Sequence, residues 1–207
     1  MCLDHEDDQV RAAIEGVAGE DVIWVPRAGE DAQEVARSMA SVIGNRIGWK
    51  DIETNVVWPG RSMDRINWSG AELVLSAAHN SESLSHDLGR LGSERHVLVV
   101  GMTQKEDLSE SIEPLLRSKG RIRTIVTEVH GGRTPSVNAE HLSEHLSADS
   151  GEPPLVIKEP IEAIDIASRM AIEEGCIVYV TGSVYLVGKA IEEMASRDGG
   201  DLWEHLQ

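Results

Sequence analysis

The segment CIVYVTGSVYLVGKAIEEM, residues 176–194, comes nearest to a phosphate-binding loop in this sequence. The Walker pattern G-x-x-x-x-G-K-[ST] requires a glycine six positions before its lysine and a hydroxyl residue directly after it. Relative to Lys189, these two positions hold Ser183 and Ala190. The bulky apolar residues 184–187 are also unsuited to a loop whose backbone amides close around phosphates, and they are expected to form the buried first turn of a helix. We therefore predict that Lys189 is a solvated helix residue.

Gly182-Ser183 indicates a ligand site of a different kind. The pair follows a predicted strand and precedes a predicted helix. Ligands of open α/β sheets bind outside the carboxyl ends of the strands, and helix N-termini attract anions. We therefore expect Ser183 to lie at a binding crevice.

The segment LVLSAAHN, residues 73–80, ends in a second group of candidate binding residues. The small residues 76–78 close a predicted strand and let a ligand approach the backbone. His79 and Asn80 follow at the N-terminus of the next predicted helix. A histidine at this position can hydrogen-bond a carboxylate or phosphate, or it can cap the helix. The position alone leaves both interpretations open.

Arg61, in the segment WPGRSMDRI, follows a Pro-Gly turn. Its guanidinium is always charged and has the fork geometry that suits phosphate or carboxylate. A surface salt bridge is the alternative, because the chain has 36 acidic residues against 19 lysines and arginines.

Two further motifs are predicted to carry no chemistry. HLSEH, residues 141–145, matches the zinc-binding pattern H-x-x-E-H, but Leu142 and Leu146 claim the same helix for the core and no third ligand is evident. HGGR, residues 130–133, is similar to the oxyanion loop of esterases but lacks the accompanying G-x-S-x-G elbow. We expect a surface helix without metal and a glycine turn.

These candidates are positioned by a regular alternation of predicted strands and helices. Apolar runs predict strands at 71–77, 95–102, 121–129, 154–159 and 176–182. Amphipathic segments predict helices at 81–92, 107–120, 136–146 and 160–175, and a last helix after residue 183. In the last helix, a single stripe of Val187, Ala190, Ile191 and Met194 is expected to be buried. Alternation with apolar strands indicates a Rossmann-like α/β fold, a mostly parallel sheet with helices on both faces.

The first part of the chain is organised differently. Residues 6–26 predict a helix followed by a strand, and residues 29–48 predict a long amphipathic helix. Residues 49–66 predict a linker that leads into an additional extended segment. We therefore predict a first segment at 1–50 and an α/β domain at 51–207.

Composition narrows the range of partners. A net charge of −17 disfavours nucleic acid and anionic membranes. No apolar run reaches the roughly 18 residues of a membrane helix, the N-terminus lacks a signal-peptide layout, and Cys2 and Cys176 form no disulfide framework, so a cytoplasmic protein is expected. Arginine outnumbers lysine on an acidic background, which favours the hypothesis of adaptation to high salt.

Taken in chain order, several of these segments resemble the carboxyl-terminal domain of the Mur ligase superfamily, in particular the folylpolyglutamate synthase/dihydrofolate synthase branch. WPGR matches a turn of that family, and SAAHN matches in part its aspartate-glycine-alanine-histidine-asparagine signature. VVGM, an arginine before a helix (Arg133) and the closing run GSVYLVG complete the set. The resemblance covers roughly residues 31–195, and the closing run is its most specific part.

The resemblance implies an ATP-dependent ligase that joins an amino acid to a folate-type carboxylate through an acyl phosphate. It implies ATP contacts for Arg61 and Ser76, and glutamate contacts for His79, Asn80 and Ser183. The catalytic P-loop, the Mg²⁺ ligands and a carbamylated lysine belong to the central domain of that family. No such motifs occur here, so no catalytic residue is assigned to this chain, and residues 1–50 are expected to be a remnant of the central domain.

Departures from the family pattern leave two functions open. Ser76 replaces the signature aspartate, and Ala77 replaces its glycine. The chain is expected to be a fragment, a subunit that works with a separate P-loop domain, or a relative that has lost the chemistry. The first two options make it the glutamate- and ATP-contacting domain of a ligase, inactive when isolated. The third makes it a non-catalytic binding or assembly protein, and a nucleotide-binding module that uses Gly182-Ser183 is a weaker alternative.

Overall fold

A computed structural model describes residues 1–29, 32–49, 60–61, 63–147 and 152–199 of the 207-residue chain. The chain divides into two compact units, Met1–Val56 and Val57–Gln207. The predicted boundary between residues 50 and 51 lies in the segment 50–59, outside the described residues. The origin of the first unit as a remnant of a central ligase domain stays a prediction.

The first unit contains two short strands and two helices. In chain order they are β1 (Cys2–Leu3), α1 (Asp8–Ala18), a 3-10 turn (Gly19–Asp21), β2 (Trp24–Val25) and α2 (Ala32–Arg46). β1 and β2 pair in parallel. Asp7 caps α1, because its side chain accepts a hydrogen bond from the backbone N–H of Gln9. The predicted helix, strand and long helix are thus all present.

The second unit is built on a six-stranded sheet. Its elements are β3 (Asp64–Trp68), β4 (Ala71–Leu75), α3 (Ser81–Leu91), β5 (His96–Val100), α4 (Leu108–Leu116), β6 (Arg121–Val126), α5 (Ala139–Leu146), β7 (Leu155–Val156), α6 (Pro160–Glu174), β8 (Ile177–Thr181) and α7 (Val184–Asp198). The strand order is β3-β4-β8-β5-β6-β7. Only the β3–β4 pair is antiparallel among these strands, and β3 is the predicted additional extended segment.

Helices cover both faces of this sheet, which confirms the predicted α/β fold. α6 and α7 pack on one face, where Leu73, Val99 and Val178 join their apolar residues. α3, α4 and α5 pack on the other face, over Val74, Leu98 and Tyr179. The predicted stripe of α7 is buried as expected, with Val187, Ala190, Ile191 and Met194 each at most 5% exposed.

Some boundaries and exposures differ from the sequence prediction. α5 begins at Ala139 rather than near 136, because Asn138 caps the helix by accepting from the N–H of His141. The predicted burial of the first turn of α7 is wrong in part, since Val184 and Tyr185 are 40% and 38% exposed. Leu186 and Val187 in the same turn are 1% and 2% exposed, so the helical period turns only one side of this turn toward the core.

Every helix in the described part of the chain is too short or too polar to span a lipid bilayer.

Candidate functional site

The candidate site lies where the carboxyl ends of β4, β8 and β5 come together. Backbone hydrogen bonds join the residues that follow these strands. The N–H of Gly182 donates to the carbonyl of Ala78 at 2.9 Å, and the N–H of Gly101 donates to the carbonyl of Thr181 at 3.4 Å. Three strand ends that are distant in sequence therefore form one edge, as expected for a ligand site of an open α/β sheet.

Gly182 permits the close approach of two of these strand ends. Its φ is +99°, and a β-carbon added there would lie 2.7 Å from the carbonyl oxygen of Gly101. Both the backbone conformation and the available space thus require glycine. The first glycine of GSVYLVG, Gly182, therefore allows the backbones at the ends of β8 and β5 to pack closely.

Arg61 is brought to the same edge by the turn at Gly60. The carbonyl of Gly60 accepts from the N–H of Ala77 at 2.6 Å, and its own N–H donates to Asp64. A β-carbon on Gly60 would lie 2.5 Å from a methyl group of Val187 in α7. Arg61 is exposed and has no ion-pair partner among the described residues, so its charge is available to an anion. The preceding Trp58 and Pro59 of the WPGR motif lie outside the described residues.

His79 is half-buried and its ring has a defined orientation. Nδ1 lies 2.9 Å from the carbonyl oxygen of Ala77. A carbonyl oxygen can only accept, so Nδ1 carries the hydrogen and donates it. In the neutral ring, Nε2 is then the hydrogen-bond acceptor, and it has no partner among the residues that the structure describes. The same Ala77 thus joins the Arg61 turn, through its N–H, to His79, through its carbonyl.

Asn80 and Ser183 are the N-caps of the two helices that begin at this edge. Oδ1 of Asn80 accepts from the N–H of Ser83 at 2.9 Å, which forms a capping box at the start of α3. Oγ of Ser183 accepts from the N–H of Tyr185 at 3.2 Å at the start of α7. Capping therefore engages the side-chain oxygen of both residues. The predicted glutamate contacts of Asn80 and Ser183 stay predictions.

Ser76 lies beneath the edge rather than on it. It has no exposed surface, and its hydroxyl donates to Oδ2 of Asp87 in α3 at 2.6 Å. In this conformation the hydroxyl faces the interior of the protein. A direct contact between Ser76 and ATP stays a prediction, which would require this side chain to reorient.

Sequence reasoning missed two other polar residues beneath the edge, Tyr179 and Thr181. Oγ1 of Thr181 donates to Ser76 at 3.3 Å. The hydroxyl of Tyr179 is fully buried and has no hydrogen-bond partner among the described residues. Burial raises the pKa of Tyr179 to about 12, although the nearby Ser76 and Thr181 hydroxyls oppose this increase. The alternation of β8 places both residues on the face covered by α3, as period-two side-chain direction requires.

The HGGR segment is a turn after β6 that lies beside the start of α7. A β-carbon on Gly132 would lie 3.2 Å from a methyl group of Thr103 and 3.5 Å from the ring of Tyr185. Arg133, in the same turn, is exposed. The predicted glycine turn is confirmed, and it adds a second exposed arginine near the candidate site.

Lys189 of the phosphate-loop motif is a solvated helix residue, as the sequence predicts, and the absence of zinc from the HLSEH motif stays a prediction. Nζ of Lys189 pairs with Glu192 at 2.8 Å on the solvent side of α7. The amides of Gly182 and Tyr185 are already bonded within the protein, so they cannot form a phosphate cradle. His141 and His145 stack edge to face at 4.7 Å. No cluster of three or more metal-binding side chains occurs in the described part of the chain.

Comparison with known proteins identifies the fold. No protein-family model matches the chain, and no curated protein matches it. Several solved structures do. Escherichia coli FolC in complex with ADP has 19% identity and a TM-score of 0.61, over 84% of this chain and 42% of FolC. Mycobacterium tuberculosis folylpolyglutamate synthase, complexed with ADP and AMPPCP, has 20% identity and a TM-score of 0.65, over 82% and 40%.

A bifunctional folylpolyglutamate synthase/dihydrofolate synthase from Yersinia pestis has 16% identity and a TM-score of 0.63, over 91% of this chain and 51% of that one. The chain therefore spans about two fifths to one half of the length of these proteins. The resemblance predicted from the sequence motifs is confirmed at the level of the fold, a Rossmann-like α/β fold that the chain shares with part of these folylpolyglutamate synthase structures.

Proposed function

We propose that this chain is the carboxyl-terminal domain of an ATP-dependent amide ligase of the folylpolyglutamate synthase/dihydrofolate synthase type. In that reaction a folate-type carboxylate takes the γ-phosphoryl group of ATP, and the amine of glutamate then displaces phosphate from the acyl phosphate. The products are an amide, ADP and phosphate. The chain closes over a central domain that carries the P-loop and the magnesium ligands, and it contributes binding and orientation.

The observation that carries this proposal is that both backbone groups of Ala77 form hydrogen bonds at the site. Its N–H binds the turn of Arg61 at 2.6 Å, and its carbonyl binds His79 at 2.9 Å. A cation suited to phosphate and a half-buried histidine are therefore held by one residue at the carboxyl edge of the sheet. Arg61 is assigned to the nucleotide, and His79, Asn80 and Ser183 are assigned to the amino acid.

The residues present fit the nucleotide better than they fit the metal. Arg61 is exposed and unpaired within the described residues, so it can donate to a phosphate without breaking an ion pair. Mg²⁺ is assigned to the central domain, because the family resemblance places the magnesium ligands there. ATP and Mg²⁺ supply the phosphoryl group and its charge neutralisation when both are bound there.

Calorimetric titration with ATP and with glutamate tests these assignments. We expect Arg61→Ala to weaken ATP binding and His79→Ala to weaken glutamate binding, each by about tenfold. Arg90→Ala, which removes another exposed arginine at the far end of α3, is the matched control and should change neither affinity. Equal effects of Arg61→Ala and Arg90→Ala on ATP, or no heat with either ligand, would contradict the assignments.

A non-catalytic binding or assembly protein of the same fold is the second candidate. The replacement of the signature aspartate by a buried serine at position 76 favours it. A separate P-loop protein that restores ligase turnover when mixed with this chain would favour the ligase. Turnover by this polypeptide alone would contradict its assignment as a closing domain without catalytic residues.

A further inference from the structure

The hydroxyl of Ser76 forms its hydrogen bonds inside the protein. It donates to Oδ2 of Asp87 at 2.6 Å, and it accepts from the N–H of Ala78 at 3.2 Å and from Oγ1 of Thr181 at 3.3 Å. A serine hydroxyl has one donor and two acceptor positions. Asp87 fills the donor position and Ala78 fills one acceptor position, while the single hydrogen of the Thr181 hydroxyl is shared between Ser76 and the carbonyl of Ala78 at 3.4 Å. Ser76 therefore affects the site through bonds inside the protein.

Asp87 determines which way the Ser76 hydroxyl points. α3 directs Asp87 toward the sheet together with the buried Leu84 and Leu91, and the carboxyl side chain is only 14% exposed. A carboxylate on this packed face costs free energy that an apolar side chain would not. An ionised carboxylate accepts hydrogen bonds and cannot donate them. Ser76 must therefore donate to Asp87, which leaves its oxygen lone pairs for Ala78 and Thr181.

One peptide group connects Ser76 to His79. The N–H of the Ala77–Ala78 peptide donates a hydrogen bond to the hydroxyl oxygen of Ser76. The carbonyl of the same peptide accepts from Nδ1 of His79. Because a peptide group is planar and rigid, the bond that holds its N–H also sets the direction of its carbonyl. The orientation of the His79 ring thus depends on the direction of the Ser76 hydroxyl.

We propose that Asp87 is the positioning residue of this site. It orients the Ser76 hydroxyl, the hydroxyl holds the Ala77–Ala78 peptide, and the peptide keeps the hydrogen of neutral His79 on Nδ1. Nε2 is thereby kept as an acceptor for a ligand group that donates, such as the ammonium group of an amino acid. The ligand part of this inference rests on the proposed function, whereas the positioning part concerns the protein alone.

The tautomer of His79 gives a direct test in ¹⁵N-labelled protein. Nuclear magnetic resonance distinguishes imidazoles that are protonated on Nδ1 from those protonated on Nε2, and comparison with His79→Asn assigns the signal among the 8 histidines. At slightly alkaline pH we expect the Nδ1–H form in the wild type and in Asp87→Asn, whose amide oxygen still accepts from Ser76. Asp87→Leu and Ser76→Ala should move His79 toward the Nε2–H form of free histidine.

Controls separate positioning from folding. Asp87→Leu fills the helix–sheet interface with an apolar side chain but leaves the buried Ser76 hydroxyl without its acceptor, so a modest loss of stability is expected, and urea unfolding checks that the variant still folds. Glu82→Gln removes a charge from the exposed side of the same helix and should leave the His79 signal unchanged. An unchanged His79 tautomer in Asp87→Leu would overturn the proposal. If that variant does not fold, an unchanged tautomer in Ser76→Ala overturns it equally.

Glutamate affinity, measured by calorimetry, separates this proposal from the proposed function. We expect Asp87→Leu to weaken glutamate binding by about tenfold and Asp87→Asn to have little effect. If the wild type binds no glutamate while the tautomer responds as expected, the proposed function fails and the positioning role of Asp87 stands. If glutamate binds equally well to the wild type and Asp87→Leu, the positioning role fails.

Discussion

The carbonyl oxygen of Gly101 lies only 2.7 Å from the position that a β-carbon on Gly182 would occupy, which is too close for a side chain. Gly182 also has a φ of +99°, a conformation that other L-residues rarely adopt. The strand ends of β5 and β8 can therefore meet only when residue 182 has no side chain. Gly182 directly precedes Ser183, which caps α7.

Gly182→Ala should destabilise the second unit by about 2 kcal/mol or more, because it combines a strained backbone with a steric clash. Gly188→Ala is a matched control in the following helix, where an added β-carbon meets nothing within 4 Å. That control should stabilise the protein by up to about 1 kcal/mol, since alanine is the better helix former. Urea unfolding followed by circular dichroism measures both, and equal stability of the two variants would contradict the expectation.

Tyr179→Phe should leave the free energy of unfolding unchanged or raise it by up to about 1 kcal/mol. The hydroxyl of Tyr179 has no partner among the described residues, and a pKa raised to about 12 by burial keeps it protonated. Its removal therefore eliminates an unpaired buried donor. Tyr185→Phe, at an exposed position, is the control with an expected change below about 0.5 kcal/mol. A clear loss of stability in Tyr179→Phe alone would show that its hydroxyl has a bonding partner.

His96 should make the protein less stable in mild acid. Burial is the main cause that lowers the pKa of His96 below 6.5, its ordinary value. Below pH 6.5 the unfolded chain takes up a proton that the folded protein does not, so stability is lost as pH falls from there toward the folded pKa. The slope for one proton cannot exceed about 1.4 kcal/mol per pH unit.

The variant His96→Gln should remove this part of the pH dependence, while His141→Gln at an exposed position should preserve it. Urea unfolding at several pH values compares the three proteins, and the difference between curves cancels the contribution of other titrating groups. The same acid dependence in His96→Gln and the wild type would contradict this role of His96.

Asp165 holds the indole of buried Trp68 and the guanidinium of Arg197 together. It accepts from Nε1 of Trp68 at 2.7 Å and from both terminal nitrogens of Arg197 at 3.0 Å. Asp165→Ala should cost about 1–3 kcal/mol because it leaves the indole N–H unpaired. Asp165→Asn keeps an acceptor for the indole and loses mainly a half-exposed ion pair, so it should cost less than about 1 kcal/mol.

The stability of this network also depends on pH, but the cause is a hydrogen bond to the charged form of Asp165, whereas for His96 the cause is burial. Hydrogen bonding from Arg197 holds the pKa of Asp165 below its usual 3.8. The stabilisation is therefore present above pH 3.8 and is lost as pH falls through the folded pKa. Acid unfolding should begin at a higher pH in Arg197→Met than in the wild type, and identical acid transitions would contradict the coupling.

Salt should stabilise the protein if its acidic surface reflects adaptation to high salt. The net charge of −17 produces self-repulsion that counter-ions screen. We expect the thermal midpoint to rise steadily from dilute buffer to multimolar sodium chloride. An unchanged midpoint over this range would contradict the hypothesis.

Much of the fold could be predicted because it is encoded locally. The apolar strands, the glycines that end α3 and α6, and Pro160 at the first turn of α6 are signals within a few residues of the elements they define. Arg61, His79 and Ser183 could be proposed as site residues for the same reason, since each lies at a turn or a strand–helix junction.

The sequence alone could not place β8 between β4 and β5, because chain order does not specify which parallel strands become neighbours. It also gave no reason to single out Asp87. A polar residue in the middle of an amphipathic helix is expected to face solvent. Only the packing of α3 on the sheet brings Asp87 within hydrogen-bond distance of Ser76.

The kinds of elements, their caps and the residues at the ends of the strands are thus specified locally along the chain. The order of the strands, the inward direction of the Ser76 hydroxyl and the exposure of Tyr185 depend on the packing of the whole second unit. The physical reason is that helix and strand periodicity and capping act over a few residues, whereas side-chain contacts across the sheet depend on how distant segments pack.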